Sequence, residues 1–389
     1  MKANWKFVGL ILAAIFGLST VGMVHATATK LATLPSIPVG NGARDLAYDS
    51  GKGEIFVSSG FFGSSNSIEV ISDSNNTLVA TITPITAPCA MAYDSGQSEI
   101  FVISEQVLSE YVTVGTVVVI SDTNNTVVAN ITVGNTSPSE GIAYDSGKGE
   151  IFVANTNDNT VSVISDSTNQ VVANISVENS PWCVAYDSGK GEIFVGNEAS
   201  ASVSVISDST NQVVANITSG ISGGPEGLAY DPAEGEIFVS DYSAGAFSVI
   251  SDKNNVATAY SIEASGAPFT NPFVMGFDTG TGQAFLNCGE SAADIISDKN
   301  NAVVAYFEGF VFGFAYDSGK GEMFIGGGSE NVVYYLSDSS IPEFGSVAFF
   351  LVATAAMSCL VTLMVKAKKR RASGATARAP KSKTNLLSS

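Results

Sequence analysis

The feature that most constrains the fold is a phrase of eleven residues that the chain repeats. It reads AYDSGKGEIFV at Ala47–Val57, Ala143–Val153 and Ala185–Val195, and AYDSGKGEMFI at Ala315–Ile325. The tyrosine of this phrase marks seven copies of a longer unit, spaced 39 to 51 residues apart: Tyr48, Tyr93, Tyr144, Tyr186, Tyr230, Phe277 (in place of Tyr) and Tyr316. A recurring unit of this length is typical of an array of structural modules, whereas a catalytic motif is needed once.

Each copy predicts four short β-strands. In the third copy these are Gly141–Asp145, Glu150–Ala154, Thr160–Ser165 and Gln170–Val177, rich in β-branched and aromatic residues and separated by Gly, Ser, Asp and Asn. A four-stranded unit present seven times predicts an all-β fold, a seven-bladed β-propeller. A solenoid is the competing architecture, but it needs distinct polar caps at its ends, and the sequence shows none.

The two ends of the repeat array complement each other. The seventh unit stops after its third strand, at Asp338, whereas a spare strand-like segment, Lys30–Gly40, precedes the first unit and resembles Val127–Gly134. If the spare strand pairs with the third strand of the last blade, every blade has four strands and the ring closes. We therefore predict a propeller closed by an N-terminal strand.

The repeat also resembles a known family. The segment NDNTVSVISDSTNQVVANISV at Asn157–Val177 is similar to the YVTN-type β-propeller repeat, although this chain has FVAN or FVGN where the family has YVTN. The resemblance extends over about Lys30–Asp338. It implies an exported or cell-surface propeller, and it implies architecture far more than chemistry.

Both ends of the chain predict export. Met1–Ala26 has a charged start, a short apolar run and a small-residue cleavage site, which is typical of a signal peptide, with an uncleaved anchor as the alternative. Residues 346–365 carry no charge and are long enough for a transmembrane helix, and the basic tail 366–389 is expected in the cytoplasm. The propeller, residues 27–340, would then lie on the extracellular face of the membrane.

Residues 341–345 read IPEFG and stand directly before the apolar segment. This layout resembles the PEFG-type C-terminal sorting signal of archaeal surface proteins. The resemblance implies a membrane transpeptidase as a partner, which would cut near Pro342, Glu343, Phe344 and Gly345. The alternative is a plain membrane-anchoring helix, so whether the C-terminal helix is retained or cleaved stays open.

Composition excludes several classes of function. The segment from Lys30 to Gly345 holds all 37 acidic residues and 8 of the 18 basic ones, a net charge of 8 − 37 = −29, which argues against nucleic acid as a partner. The one histidine, His25, lies in the predicted signal peptide, which excludes Ser-His-Asp or Cys-His catalysis and His-ligated metals in the mature chain. We expect no cofactor and no metal cluster; weak calcium binding is left open.

Two positions of the repeat hold seven aspartates each, and these are predicted to cap turns. The seven copies differ instead four residues before the repeat tyrosine, a position that should ring the mouth of the central channel. The predicted ligand-binding residues are Arg44, Cys89, Glu140, Trp182, Glu226, Phe273 and Phe312. Aromatic, acidic and basic side chains around a concave mouth are typical of a ligand site.

The sequence also contains glycosylation sequons, at Asn75, Asn124, Asn130, Asn135, Asn174 and Asn216. Together these features favour an exported binding or structural module of the envelope, or an adhesion module, that presents its loop-rich face to a surface glycan, a protein or a cation. We do not expect an enzyme. The alternative is an extracellular hydrolase that uses carboxylates in the mouth, with Glu140 and Glu226 as the acid pair.

Overall fold

Seven β-sheets account for the strands in the part of the chain that the computed structural model describes. That part comprises residues 28–40, 42–59, 66–109, 112–136, 141–261, 271–289 and 292–341. Each sheet is an antiparallel blade, and its four strands follow one another in chain order except where the ends of the chain contribute. The all-β seven-bladed propeller predicted from the repeat is confirmed.

The first three blades are built as follows. Blade 1 contains β3 (Ala43–Asp49), β4 (Glu54–Ser59), β5 (Ser67–Ser72) and β6 (Thr77–Ile82). Blade 2 contains β7 (Pro88–Asp94), β8 (Glu99–Ser109), β9 (Val112–Ser121) and β10 (Thr126–Thr132). Blade 3 contains β11 (Ile142–Asp145), β12 (Glu150–Asn155), β13 (Thr160–Ser165) and β14 (Gln170–Ser176).

The remaining blades repeat the pattern. Blade 4 contains β15 (Pro181–Asp187), β16 (Glu192–Asn197), β17 (Ser202–Ser207) and β18 (Gln212–Ile217), and blade 5 contains β19 (Pro225–Asp231), β20 (Glu236–Asp241), β21 (Ala246–Ser251) and β22 (Val256–Ser261). Blade 6 contains β23 (Met275–Asp278), β24 (Gln283–Asn287), β25 (Ala292–Ser297) and β26 (Ala302–Glu308), and blade 7 begins with β27 (Phe314–Asp317), β28 (Glu322–Gly326) and β29 (Val332–Ser337). Single 3-10 turns lie at Thr156–Asp158, Tyr242–Ala244, Gly328–Glu330 and Asp338–Ser340.

The N-terminal segment closes the ring, as predicted. Strand β2 (Ser36–Pro38) pairs antiparallel with β29 as the fourth strand of blade 7, and Ile37 is buried opposite Val333. The inner strand of blade 7 contacts that of blade 1, as each inner strand contacts the next around the ring. A second short strand, β1 (Thr29–Lys30), was not predicted: it adds in parallel to the outer edge of blade 6. One N-terminal segment therefore joins two blades.

The hydrophobic core lies between neighbouring blades. The second strand of every blade carries a phenylalanine that is fully buried: Phe56, Phe101, Phe152, Phe194, Phe238, Phe285 and Phe324. Phe56 of blade 1, for example, belongs to the same cluster as Met91 and Ile100 of blade 2. The outer strands are more exposed, and Val128, Val172 and Val214 are about half accessible. Burial between sheets explains why the second and third strands read as continuous apolar runs.

The turns between first and second strands are capped as the sequence predicted. Each repeat aspartate is buried, and its Oδ1 accepts hydrogen bonds from the backbone N–H groups two and three residues on; for Asp145 these are Gly147 at 2.8 Å and Lys148 at 3.2 Å. The lysine of the turn reaches the next blade, where Lys148 Nζ donates to the carbonyl of Asp208. Lys52 and Lys320 make the equivalent contacts with Asp122 and Asp73.

The repeat tyrosine joins six of these seven turns to the next blade. A Cβ atom placed on Gly147 would lie 2.8 Å from the hydroxyl oxygen of Tyr186, so the turn and the ring are in direct contact. The same glycine–tyrosine contact recurs at five other junctions: Gly51–Tyr93, Gly96–Tyr144, Gly189–Tyr230, Gly280–Tyr316 and Gly319–Tyr48. Burial and the neighbouring Asp49 carboxylate raise the pKa of Tyr93 to about 12. These hydroxyls therefore stay protonated at every physiological pH.

No helix among the described residues is long and apolar enough to cross a membrane. The predicted transmembrane segment 346–365, the basic tail 366–389, the PEFG motif at 342–345 and the predicted signal peptide 1–26 lie outside the described residues.

Candidate functional site

The residues predicted to ring the channel mouth lie where the first strand of each blade enters the sheet. In blade 4 the pairing steps from Pro181 opposite Asn197 to Cys183 opposite Gly196, so that Trp182 is an extra residue in a β-bulge. Glu226 occupies the equivalent bulge of blade 5. Arg44 lies in a wider irregularity between Ala43 and Leu46 of blade 1. Bulges re-aim side chains that regular strands would direct into the sheet.

Blades 6 and 7 have aromatic residues at the predicted mouth position. Their first strands begin later, at Met275 and Phe314, so that Phe273 and Phe312 precede the pairing. The rings of Phe273 and Phe312 are 4.9 Å apart between centroids, and Phe310 meets Phe312 edge-on at 4.6 Å. Gly328 lies beneath the last two, since a Cβ there would be 3.0 Å from Phe310 and 3.1 Å from Phe312. The structure thus brings two predicted residues together and adds Phe310.

The other predicted residues are distributed differently. Trp182, Glu226, Arg44, Phe273 and Phe312 are all half-buried. Cys89 is fully buried in the core between blades 2 and 3, and its thiol donates to the carbonyl of Ile103, so it offers nothing to a ligand in this conformation. Glu140 lies outside the described residues.

The irregular entry strand of blade 1 is fixed to blade 2. The Asp45 carboxylate accepts a 2.7 Å hydrogen bond from the backbone N–H of Met91, and the Asp45 N–H donates to Ser58 Oγ at 2.9 Å. Ser58 Oγ also donates to the carbonyl of Cys89, at 2.9 Å. Sequence reasoning missed Asp45, although an acidic residue beside the one arginine of the propeller segment was a signal. Arg44 therefore projects from a braced backbone.

Glycines set the spacing around the mouth. The residue that follows the variable position is Gly141 in blade 3, Gly227 in blade 5 and Gly313 in blade 7. A Cβ at these glycines would lie 2.7 to 2.8 Å from the backbone carbonyls of Trp182, Phe273 and Arg44 in the next blade. Such an approach requires a residue without a side chain. The backbone segments that carry the predicted mouth residues are therefore held close together in adjacent blades.

Blade 6 also contains a buried amide and a buried acid. Asn287 is buried and donates to the carbonyl of Val311, the residue between Phe310 and Phe312. In the same blade, Asp294 is fully buried with neither carboxylate oxygen hydrogen-bonded in the described structure, and burial raises its pKa to about 7. Burial also raises the pKa of the neighbouring Cys288 thiol well above its usual range, with the Asp294 carboxylate adding to the effect. Blades 3, 4 and 5 have serine at this third-strand position.

The described residues contain no group of three or more His, Cys, Asp or Glu side chains placed to hold a metal ion. The acidic residues at the turns pack against neighbouring backbone. The Asp166 carboxylate, for example, lies against Gly149 of its own blade. The cysteines Cys89, Cys183 and Cys288 are buried, and none of them forms a disulfide with another described residue.

The predicted glycosylation sites lie at the surface. Asn75, Asn124, Asn130, Asn174 and Asn216 are exposed, and Asn135 is half-exposed. In the turn sites the sequon threonine donates to the asparagine carbonyl, from Thr77 to Asn75 and from Thr126 to Asn124, each at 2.6 Å. Solvent access is necessary for modification, and these residues meet that condition.

Comparison with known proteins shows the fold alone. No family model matches the chain, and no curated protein matches it. Among solved structures, 1655 chains match, which makes the fold too common to assign a chemistry. One of them is the Kuenenia stuttgartiensis hydrazine synthase chain, with a TM-score of 0.66 and 15% identity, covering 82% of this chain and 100% of that one.

Proposed function

We propose that this protein is an exported β-propeller of the YVTN type, held at the cell surface by its C-terminal segment, which binds a glycan, a protein or a cation through the channel mouth. The PEFG-like motif supports a sorting transpeptidase as its processing partner, and it is the basis for placing the protein in an archaeal envelope. The acidic ectodomain suits an exterior, soluble surface. Its role is binding or structural rather than catalytic.

The observation that carries this proposal is the contrast between a repeated scaffold and a variable mouth. Arg44, Trp182, Glu226, Phe273 and Phe312 occupy one repeat position, differ in charge and shape, and remain half-buried. Variable side chains on a rigid framework are typical of binding sites. An aromatic cluster beside an arginine suits a ligand with an apolar face and a negatively charged group.

The proposal is tested with the full-length protein on an array of surface glycans and proteins. Wild type is compared with Trp182→Ala and Phe312→Ala, and with Gln97→Ala as a matched control at an exposed turn of the opposite face. We expect at least one ligand whose signal falls tenfold or more in both mouth variants and is unchanged in the control. A ligand bound equally by all four proteins would place the binding site elsewhere.

A further inference from the structure

A groove with a volume of about 570 Å³ lies between blades 1 and 2, away from the channel mouth. One wall is the crossing between the blades, Thr83–Thr86, and the other is formed by β9 and β10 of blade 2. Its side chains include hydroxyls of Thr81 and Thr116 and the amide of Asn130, and no charged residue is among the described residues that line it. The volume is in the range of small-molecule sites.

The side-chain amide of Asn130 is available in the groove because blade 2 departs from the repeat. In blade 3, Ser162 Oγ donates to Asn174 Oδ1 at 2.8 Å, and in blade 4 Ser204 donates to Asn216 at the same distance. Asn130 has the equivalent place in blade 2, but the residue paired with it is Val118. The side chain of Asn130 consequently makes no hydrogen bond with the described residues and stands in the groove.

The crossing between the blades also differs from its counterparts. Between blades 3 and 4, Glu178 reaches across to accept a 3.2 Å hydrogen bond from Asn216 Nδ2. The equivalent residue between blades 1 and 2 is Ile85, which is 2% exposed and packs into the core instead. Between blades 2 and 3 the equivalent residue is Gly134, which lies directly against Asn155. The hydrogen bond between Glu178 and Asn216 therefore has no counterpart at the junction of blades 1 and 2, where Ile85 replaces the glutamate.

We propose that the groove between blades 1 and 2 binds a neutral saccharide. Threonine hydroxyls and a carboxamide match the donors and acceptors of sugar hydroxyls, because each can donate and accept. A charged ligand would find no counter-charge there, and an apolar one would leave the hydroxyls without partners. Pro84, Val118 and Val127 supply apolar surface for the C–H face of a sugar ring. This site does not depend on the function proposed for the mouth.

Two sources could supply this saccharide. Asn130 belongs to the sequon Asn130-Ile131-Thr132, so a glycan attached to its own Nδ2 could fold back into the groove. A glycan of another molecule could equally dock beside the unmodified amide. The chemistry is the same in both cases, and the glycosylation state of Asn130 separates them.

The first arm uses full-length protein from a host without N-glycosylation, kept in a sugar-free detergent. Cellobiose and N,N′-diacetylchitobiose are titrated by saturation-transfer NMR, with glucuronate as a charged probe. We expect one of the disaccharides to bind more tightly than glucuronate. Its dissociation constant should rise at least fivefold with Asn130→Ala and with Val118→Ser, which restores the serine that pairs with asparagine in blades 3 and 4. Asn174→Ala, the matched position of blade 3, should change it less than twofold.

The second arm uses protein purified from its own host. If the glycan is covalent, peptide mass spectrometry finds a hexose-containing adduct on Asn130, and hydrogen exchange at 83–86 and 116–118 accelerates at least fivefold after enzymatic deglycosylation. The proposal is wrong if neither arm gives its expected result. In that case no disaccharide binds in the first arm, and in the second arm Asn130 either carries no glycan or carries one whose removal leaves hydrogen exchange unchanged. It is also wrong if Asn174→Ala weakens binding as much as Asn130→Ala.

Discussion

Replacing Gly147 by alanine tests the contact that joins most neighbouring blades. The new Cβ would lie 2.8 Å from the hydroxyl oxygen of Tyr186 and 3.1 Å from the Asp145 carboxylate. Both neighbours are held in place, since Asp145 caps the turn and the Tyr186 ring packs into the core between blades 3 and 4. Overpacking of this kind costs about 1–3 kcal/mol. Gly147 does not have positive φ, so its backbone conformation suits alanine.

The chain contains its own control for this substitution. At the junction of blades 5 and 6, Ala233 occupies the place of the glycine, and its N–H donates to Asp231 at 2.8 Å as the Gly147 N–H does to Asp145. The residue that replaces the tyrosine there is Phe277, which has no hydroxyl. The methyl group and the hydroxyl therefore exclude each other, and each is present only where the other is missing.

This exclusion predicts strong coupling in a double-mutant cycle. Tyr186→Phe alone should cost about 1 kcal/mol, the usual value of a lost hydrogen bond, because the Tyr186 hydroxyl interacts with the Asp145 carboxylate. Gly147→Ala alone should cost about 2 kcal/mol and lower the thermal midpoint by about 3 °C. The double variant should be close to wild type, because the phenylalanine makes room and alanine restricts the unfolded chain by about 0.4–1 kcal/mol. With single costs of about 1 and about 2 kcal/mol and a double variant close to wild type, the coupling energy is about 3 kcal/mol in favour of the pair.

The assay is thermal and guanidinium unfolding of the full-length protein, followed by tryptophan fluorescence, since Trp182 lies on the same strand as Tyr186. The reciprocal cycle at the other junction uses Phe277→Tyr, expected to destabilise, and Phe277→Tyr with Ala233→Gly, expected to recover. Additive free energies in both cycles would refute the steric reasoning and leave the paired substitution at 233 and 277 without a packing explanation.

Three further predictions concern blade 6 and the two ends of the chain. Burial raises the pKa of Asp294 from 3.8 to about 7, so the folded protein binds this proton more tightly than the unfolded chain does. The stabilisation is fully present below pH 4, and the free energy of unfolding falls by about 4 kcal/mol as the pH rises to 7. Asp294→Asn should therefore raise the thermal midpoint at pH 7.5 but not at pH 4, and an equal shift at both values would contradict the assignment. Deleting Lys30–Gly40 removes β2 and the buried Ile37, so the thermal midpoint should fall by many degrees; an unchanged midpoint would show that the ring does not need this strand. Replacing Pro342–Gly345 by alanines should leave a membrane-bound precursor in the native host, and a mature mass equal to that of the wild-type protein would exclude this sorting signal.

The repeat predicted the blades, the ring closure and the capped turns because these depend on local patterns that recur. Asp145 and its six counterparts cap turns through atoms two and three residues away, which any sequence window contains. The parallel addition of β1 to blade 6 was not predictable in this way, since a two-residue strand has no periodicity of its own. Its place is set by Leu31 and Leu34, which pack against the core of blades 6 and 7.

The candidate site was predicted only in outline. Counting back from the repeat tyrosine located Trp182 and Glu226, but the bulges that expose them depend on the pairing with the second strand and leave no local signal. The same count selected Cys89, whose burial follows from the contact of blades 2 and 3. Phe310 was passed over because it lies two residues outside the repeat position, and only the edge-on ring contact with Phe312 brings it into the cluster.

A residue that departs from the repeat is therefore interpreted differently according to whether a neighbouring residue also changes. At positions 233 and 277 two departures occur together at one blade junction, and we expect the added methyl group to take the place of the missing hydroxyl. At position 118 valine replaces a serine without a compensating change, so that Asn130 loses its partner and a groove stays open. A structural repeat has no reason to keep a polar group unpaired where its other copies pair it, because each such group forfeits a hydrogen bond worth about 1 kcal/mol. Uncompensated departures are the places where selection for a ligand, rather than for packing, accounts for the residue.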